Sequence, residues 1–401
     1  MLNMLHPEIE NIDSFTMEID HIRGYLGKVS NSVYMECGRW VCYNPNIKLH
    51  QGYKIIFSAF FESQGTKYRI GGNSQTWEIK HFQPLDKFTF SCCEKSSTEI
   101  RRQPQICKKE LLFDSNFNER IVDSSQWKRE HFIPDEANFE FCSYQNSDEN
   151  SYIGGGHLFI SAKPFRNEED VLGTLNLTIG CTRDSLKECT MTSDRGFILP
   201  PVVSARMKNK INFKYGTISI RARLPMGDWL YPEVYLESDK PPFRRIWIAY
   251  ARGNKRLITK ERLELGRNML FGGPVLDILE PERSQYLSYT KTESHGQFHT
   301  YQVVWEPTKI TLWFDNQVYG KYGNDISSQF NDPMHLVLGV GVGGIADFPD
   351  GSITTDNTTK PWENFERLQF KKFFKARDNW LSTWDVGRSY MEVDFVRIWA
   401  L

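Results

Sequence analysis

The chain has 401 residues, and 49 Lys+Arg against 50 Asp+Glu leave a net charge of -1. With no basic field to hold a polyanion, neither nucleic acid nor an anionic membrane is an expected partner. Apolar residues are 40% and charged residues 25% of a chain long enough for two or three domains, and no run reaches the roughly 18 apolar residues of a membrane span.

Residues 15 to 90 read as short strands. Phe15-Thr16-Met17-Glu18-Ile19 alternates, Tyr53 to Phe61 is a dense apolar and aromatic run, and Thr76-Trp77-Glu78-Ile79 alternates again. Turn formers separate them at Asn44-Pro45-Asn46, Gly71-Gly72-Asn73 and Gln83-Pro84. This pattern suits a small β-sandwich over 1–91. Residues 92–108 turn polar around Cys92, Cys93 and Cys107 and read as a linker cross-linked across its own loop, Cys93 to Cys107. From 109 to 401 the strand pattern resumes, as in Thr217 to Leu224, Thr300 to Trp305, Lys309 to Phe314 and Glu392 to Trp399. Few stretches show helical period, so one large two-sheet sandwich of jelly-roll type is expected there. The fold class is all-β throughout, and 11 Trp, 17 Tyr and 27 Phe agree with it.

Eight cysteines argue for an oxidising compartment. Cys181 and Cys189 close a short polar loop, and a zinc site would need C-x-x-C pairs or interleaved histidines that are absent. Neither a metal nor a cofactor is expected. Asn176-Leu177-Thr178 and Asn357-Thr358-Thr359 are glycosylation sequons. The first residues lack the basic flank and apolar stretch of a secretory signal, which read literally means cytosolic, but the cysteines argue the other way, and the expectation is a secreted, extracellular protein whose signal peptide is not present in this chain.

Leu111 to Asn118 with Trp127 resembles the opening of a family 16 glycoside hydrolase domain. Phe213 to Gly216, Arg221 to Pro225, Gly227-Asp228-Trp229-Leu230-Tyr231-Pro232-Glu233, Phe298 to Tyr301, Val342-Gly343-Gly344 and Trp380 to Trp384 continue in that family's order. The chain as a whole is most similar to the invertebrate β-1,3-glucan recognition proteins, also called Gram-negative-bacteria-binding proteins. The resemblance implies an immunoglobulin-like glucan-binding module, then a concanavalin-like jelly roll. It also implies pattern recognition of microbial β-1,3-glucan, or another microbial cell-wall polysaccharide, in innate immunity, with a serine-protease cascade component as a further partner.

A retaining glycosidase needs two carboxyl groups about 5–5.5 Å apart. Family 16 enzymes supply them from one strand as Glu-x-Asp-x-x-Glu, where alternation and a strand irregularity bring the acids to one face. Two segments compete for that place. Val275-Leu276-Asp277-Ile278-Leu279-Glu280 keeps two acids, but follows a later landmark, Gly272-Gly273-Pro274. Arg245-Ile246-Trp247-Ile248-Ala249-Tyr250 lies directly before Arg252-Gly253-Asn254 and is the preferred match, so the three catalytic positions hold Arg245, Trp247 and Tyr250. Either register lacks a nucleophile, since Val275 cannot form a glycosyl ester. No catalytic residue is therefore expected, and a facing pair of carboxyls in the cleft would overturn that expectation.

The expected carbohydrate-binding residues are Trp229, Tyr231, Glu233, Trp247, Tyr250, His299 and Arg69. Aromatic faces stack on the C–H face of a pyranose, while carboxylates and guanidiniums bond its hydroxyls. Each has a plainer alternative: Trp229 and Tyr231 as core, Trp247 and Tyr250 as plugs of the cleft, His299 as a structural side chain. Asp277 and Glu280 read as a solvated loop pair. In the N-terminal module Trp77 reads as core, and Ser58 stands near where the family often has a stacking Trp. Two rival functions are an active endo-β-1,3-glucanase and a non-sugar-binding immune scaffold.

Overall fold

The structure is a computed structural model. It describes the strand backbones of residues 2–5, 14–22, 29–30, 32–36, 39–43, 54–63 and 66–78, and then residues 94–101, 106–135, 137–279, 285–292, 296–384 and 387–401. The chain divides into two compact units, Met1–Lys95 and Ser96–Leu401.

In the first unit, Lys54–Ser63 pairs antiparallel with both Ser14–Ile22 and Thr66–Glu78, and Val29–Ser30 completes a four-stranded sheet. Leu2–Leu5, Arg39–Tyr43 and Ser32–Glu36 form a three-stranded sheet. Arg69 stands opposite Phe60 in the register. The side chains of Arg69, Trp77 and Ser58 lie outside the described residues, as does Cys93.

The second unit is built on a nine-stranded and an eight-stranded sheet. The first runs, in spatial order, Trp127–Arg129, Arg206–Asn209, Met334–Val342, Leu230–Ser238, Arg245–Tyr250, Met269–Val275 and Ser288–Lys291. The second is centred on Gly216–Arg223, which pairs with His299–Trp305 on one side and Tyr390–Trp399 on the other. Ile218, Ile220 and Ala222 from one sheet share a single core with Val234, Leu236, Leu336 and Leu338 from the other. That burial is the two-sheet architecture expected from the alternating strands. The few helices among the described residues are short, such as Gln369–Lys375, and none is long and apolar enough to cross a membrane.

Part of the segment expected as a linker is docked on this unit. Glu99–Ile100 pairs with Phe213–Lys214. Ser96 Oγ donates to the Leu401 carbonyl and Leu401 N–H donates to Thr98 Oγ1, both at 3.0 Å. Polar residues that cannot build a core of their own here satisfy the end of the last strand. Cys181 and Cys189 are joined in a disulfide; Cys107 is also disulfide-bonded.

Candidate functional site

The site grows from strand alternation on Leu230–Ser238. Leu230, Val234 and Leu236 face the core, so Tyr231, Glu233, Tyr235 and Glu237 face the other way. Arg245–Tyr250 pairs beside it, with Tyr235 opposite Trp247 and Glu237 opposite Arg245. A register irregularity between Trp247 and Tyr250 brings these two rings to one side although they are three residues apart. Arg245, Trp247, Tyr250, Tyr231 and Glu233 accordingly line one cavity of about 150 Å³. On the far side, Gly341 lies opposite Tyr231 and Gly339 opposite Glu233. A Cβ on Gly341 would come within 2.2 Å of the Tyr231 ring, and one on Gly339 within 2.5 Å of Glu233 Oε2. The two glycines make the room in which the cavity floor lies.

The rings are packed more than displayed. Trp247 is 8% exposed and Tyr250 3%. Their centroids are 4.9 Å apart, and Trp247 stands 4.6 Å from Tyr235. Tyr231 accepts a hydrogen bond from Asn138 Nδ2 at 2.7 Å and donates to Glu140 Oε1 at 3.4 Å. Arg252 holds the Asp347 carbonyl through Nε at 2.5 Å, with its guanidinium 5.1 Å from the Tyr250 ring centre.

Beneath the rings runs a buried charge network. Arg206 pairs with Glu130 at 2.7 Å, Glu237 at 2.9 Å and Glu233 at 3.6 Å. Arg245 donates through Nε to Glu237 at 2.7 Å and lies over the Tyr235 ring. Burial would raise the Glu237 carboxyl, but the guanidiniums of Arg245 and Arg206 outweigh it and hold the group below the ordinary carboxylate range. Glu233 behaves oppositely. Burial, reinforced by the charge of Glu140 and only partly offset by Arg206, pushes it up to about 7.

Three carboxylates therefore line the cavity: Glu140, Glu233 and Asp347. None comes from the Arg245–Tyr250 strand, and each is engaged: Glu140 by Tyr231, Glu233 by the Tyr235 hydroxyl at 3.0 Å, Asp347 by Asn138. Sequence reasoning singled out only Glu233 among them. The available signal for Glu140 was the alternation Asn138-Phe139-Glu140-Phe141, in which two polar side chains interleave with two rings; Asp347 carried none.

Two expected groove residues lie elsewhere. Trp229 is 1% exposed and packs edge-on against Phe348 and Trp362, because Asn254 captures its backbone N–H and ties down Asp228. That makes it a core residue, absent from the cavity lining. His299 sits on the eight-stranded sheet, bonded to Asp315 and packed on Phe314, and does not line this cavity. Val275 and Ile278 reach the cavity, whereas the Asp277 carboxylate caps the backbone N–H of Leu279. Glu280 lies outside the described residues.

A family model described as glycosyl hydrolases family 16 matches residues 178–359. β-1,3-glucan-binding protein 1 of Galleria mellonella is 30% identical, over 91% of this chain and 85% of its own length. The chain belongs to the β-1,3-glucan-binding protein family. Gram-negative bacteria-binding protein 2 of Drosophila melanogaster is 33% identical over 77% of this chain and 68% of its own. Among solved structures, the laminarinase from Rhodothermus marinus superposes with a TM-score of 0.48 at 19% identity, covering 73% of this chain and 97% of that chain. As a member of the β-1,3-glucan-binding protein family, the chain carries a two-sheet unit with a cavity lined by rings.

Proposed function

We propose that this protein is a secreted pattern-recognition protein that binds microbial β-1,3-glucan without hydrolysing it. The observation that carries this reading is the set of side chains on the strand that motif order assigns to the catalytic positions. Arg245, Trp247 and Tyr250 share one cavity, with Arg245 tied to Glu237 and the two rings packed together. A guanidinium and two rings offer no glycosyl-ester nucleophile on that strand. Binding by ring stacking and hydroxyl hydrogen bonds survives the loss of such chemistry. The names of the relatives support glucan as the ligand. The disulfide at Cys181–Cys189 and the exposed sequon asparagines Asn176 and Asn357 support secretion. A serine-protease cascade component is the proposed downstream partner.

Hydrolysis is a second reading, favoured by one observation: Glu140 and Glu233 line the same cavity, and the charge of one raises the other. A single assay separates the readings. The full chain is incubated with insoluble β-1,3-glucan, and both retention and newly released reducing ends are measured. Retention with no reducing ends above a protein-free control is the expected result. Release that disappears in Glu233→Gln would make the protein an endo-glucanase, and failure to be retained would leave the scaffold reading.

A further inference from the structure

Because Trp247 and Tyr250 are buried, the aromatic surface open to a sugar chain lies further along the same face. Tyr250 stands opposite Phe271 across one strand pair, and Phe271 opposite Tyr289 across the next. Residues directly opposite in adjacent strands present their side chains to one face. Ring centroids step 5.9 Å from Tyr231 to Tyr250, then 6.1 Å to Phe271 and 6.1 Å to Tyr289. The row begins inside the cavity, which Phe271 still lines. It ends on Ser288–Lys291, the last strand of the nine-stranded sheet. Exposure rises along it, from buried Tyr231 and Tyr250 through half-buried Phe271 to Tyr289 at 64%. Arg252 covers the inner part, with its guanidinium 5.5 Å from the Phe271 ring centre.

We propose that Phe271 and Tyr289 form a distal stacking subsite for a linear, uncharged glucan chain whose other end reaches the cavity beside Tyr231 and Tyr250. The proposal rests on the glucan-binding reading and adds residues to it. Phe271 and Tyr289, tilted 46° to each other on neighbouring strands, suit a polymer that repeats one ring, because a sugar can lay its C–H face on each ring open to it while Tyr231 and Tyr250 stay buried. The row itself carries no charge. An anionic polymer would need free cations along it, and Arg252 is already committed to the Asp347 carbonyl.

The subsite makes binding depend on ligand length, and hydrogen exchange on the full chain reads this locally. With a β-1,3-linked glucose hexamer, backbone amides of residues 269–275 and 288–291 should gain protection together with 245–250. A trimer should protect only the cavity strands. Tyr289→Ala should raise the hexamer concentration needed for half-protection by roughly tenfold, as loss of one ring contact implies. The trimer midpoint should not move, and Tyr289→Phe should keep the wild-type response. An unchanged hexamer midpoint in Tyr289→Ala overturns the subsite and leaves glucan binding at the cavity intact. Absence of protection anywhere in the second unit, at either length, overturns the subsite and the cavity's role in glucan binding together.

Discussion

Glu233 combines the two properties that decide what its strand can do. It is nearly sealed from solvent, and its carboxyl is raised to about 7 by burial and by Glu140. A raised acid binds more protons folded than unfolded, so stability falls as pH climbs from the ordinary value of 4.5 toward 7. Glu237 has the opposite sign. Its depressed carboxyl stabilises the fold above its ordinary value, and that contribution is lost on acidification. Urea unfolding of Glu233→Gln at pH 5 and pH 8 should therefore show a shallower decline than the parent chain. An identical decline would assign the titration to another group. At Trp229, by contrast, removal of the ring acts through packing alone. Trp229→Ala should cost about 3–5 kcal/mol and leave hexamer protection at residues 245–250 unchanged wherever the variant is still folded.

At the scale of elements, the site depends on what the neighbouring strand lacks. Gly341 gives the Tyr231 ring its place, and the Cβ of an alanine there would overlap it at 2.2 Å. Gly341→Ala should destabilise the second unit by about 1–3 kcal/mol and displace Tyr231, shown by a lowered urea midpoint and weaker glucan retention. Retention at the parent level would mean the cavity floor is not used. Such spacing explains how much of the site could be read from the residues alone. Motif order pointed to the strand at 245–250, and its irregularity is what aligns Trp247 with Tyr250. The motif Gly227 to Glu233 pointed to Tyr231 and Glu233. It also left Trp229 ambiguous, because a ring at a strand's entrance can turn either way until Asn254 fixes the turn. Glu140, Asn138 and Asp347 come from distant connecting segments, and even the alternation over 138–141 does not say where those side chains go, because their placement follows from tertiary packing. The Phe271–Tyr289 pair was equally invisible, since a cross-strand neighbour depends on register rather than on spacing along the chain.

At the scale of the whole molecule, charge and valency together set how the chain should meet a polysaccharide. Its net charge of -1 leaves almost no long-range field. The rings about the cavity act over contact distances, Arg206 and Arg245 are already paired with glutamates, and Arg252 holds the Asp347 carbonyl. A neutral polymer bound in this way releases no counterions, so retention on insoluble β-1,3-glucan should change less than about twofold between roughly 0.05 and 0.5 M salt. Capture of a charged surface would instead weaken steeply over that range, as screening shortens the field to a few ångströms. Two units on one chain add a second consequence. If both grip the same polymer, the second contact is made at a high effective concentration. The full chain should then be retained at polymer levels on the order of a hundredfold below those needed by Ser96–Leu401 alone. Equal retention would confine binding to the second unit and remove polyvalency from the mechanism. A steep salt dependence would replace ring stacking with charge as the force that holds the ligand.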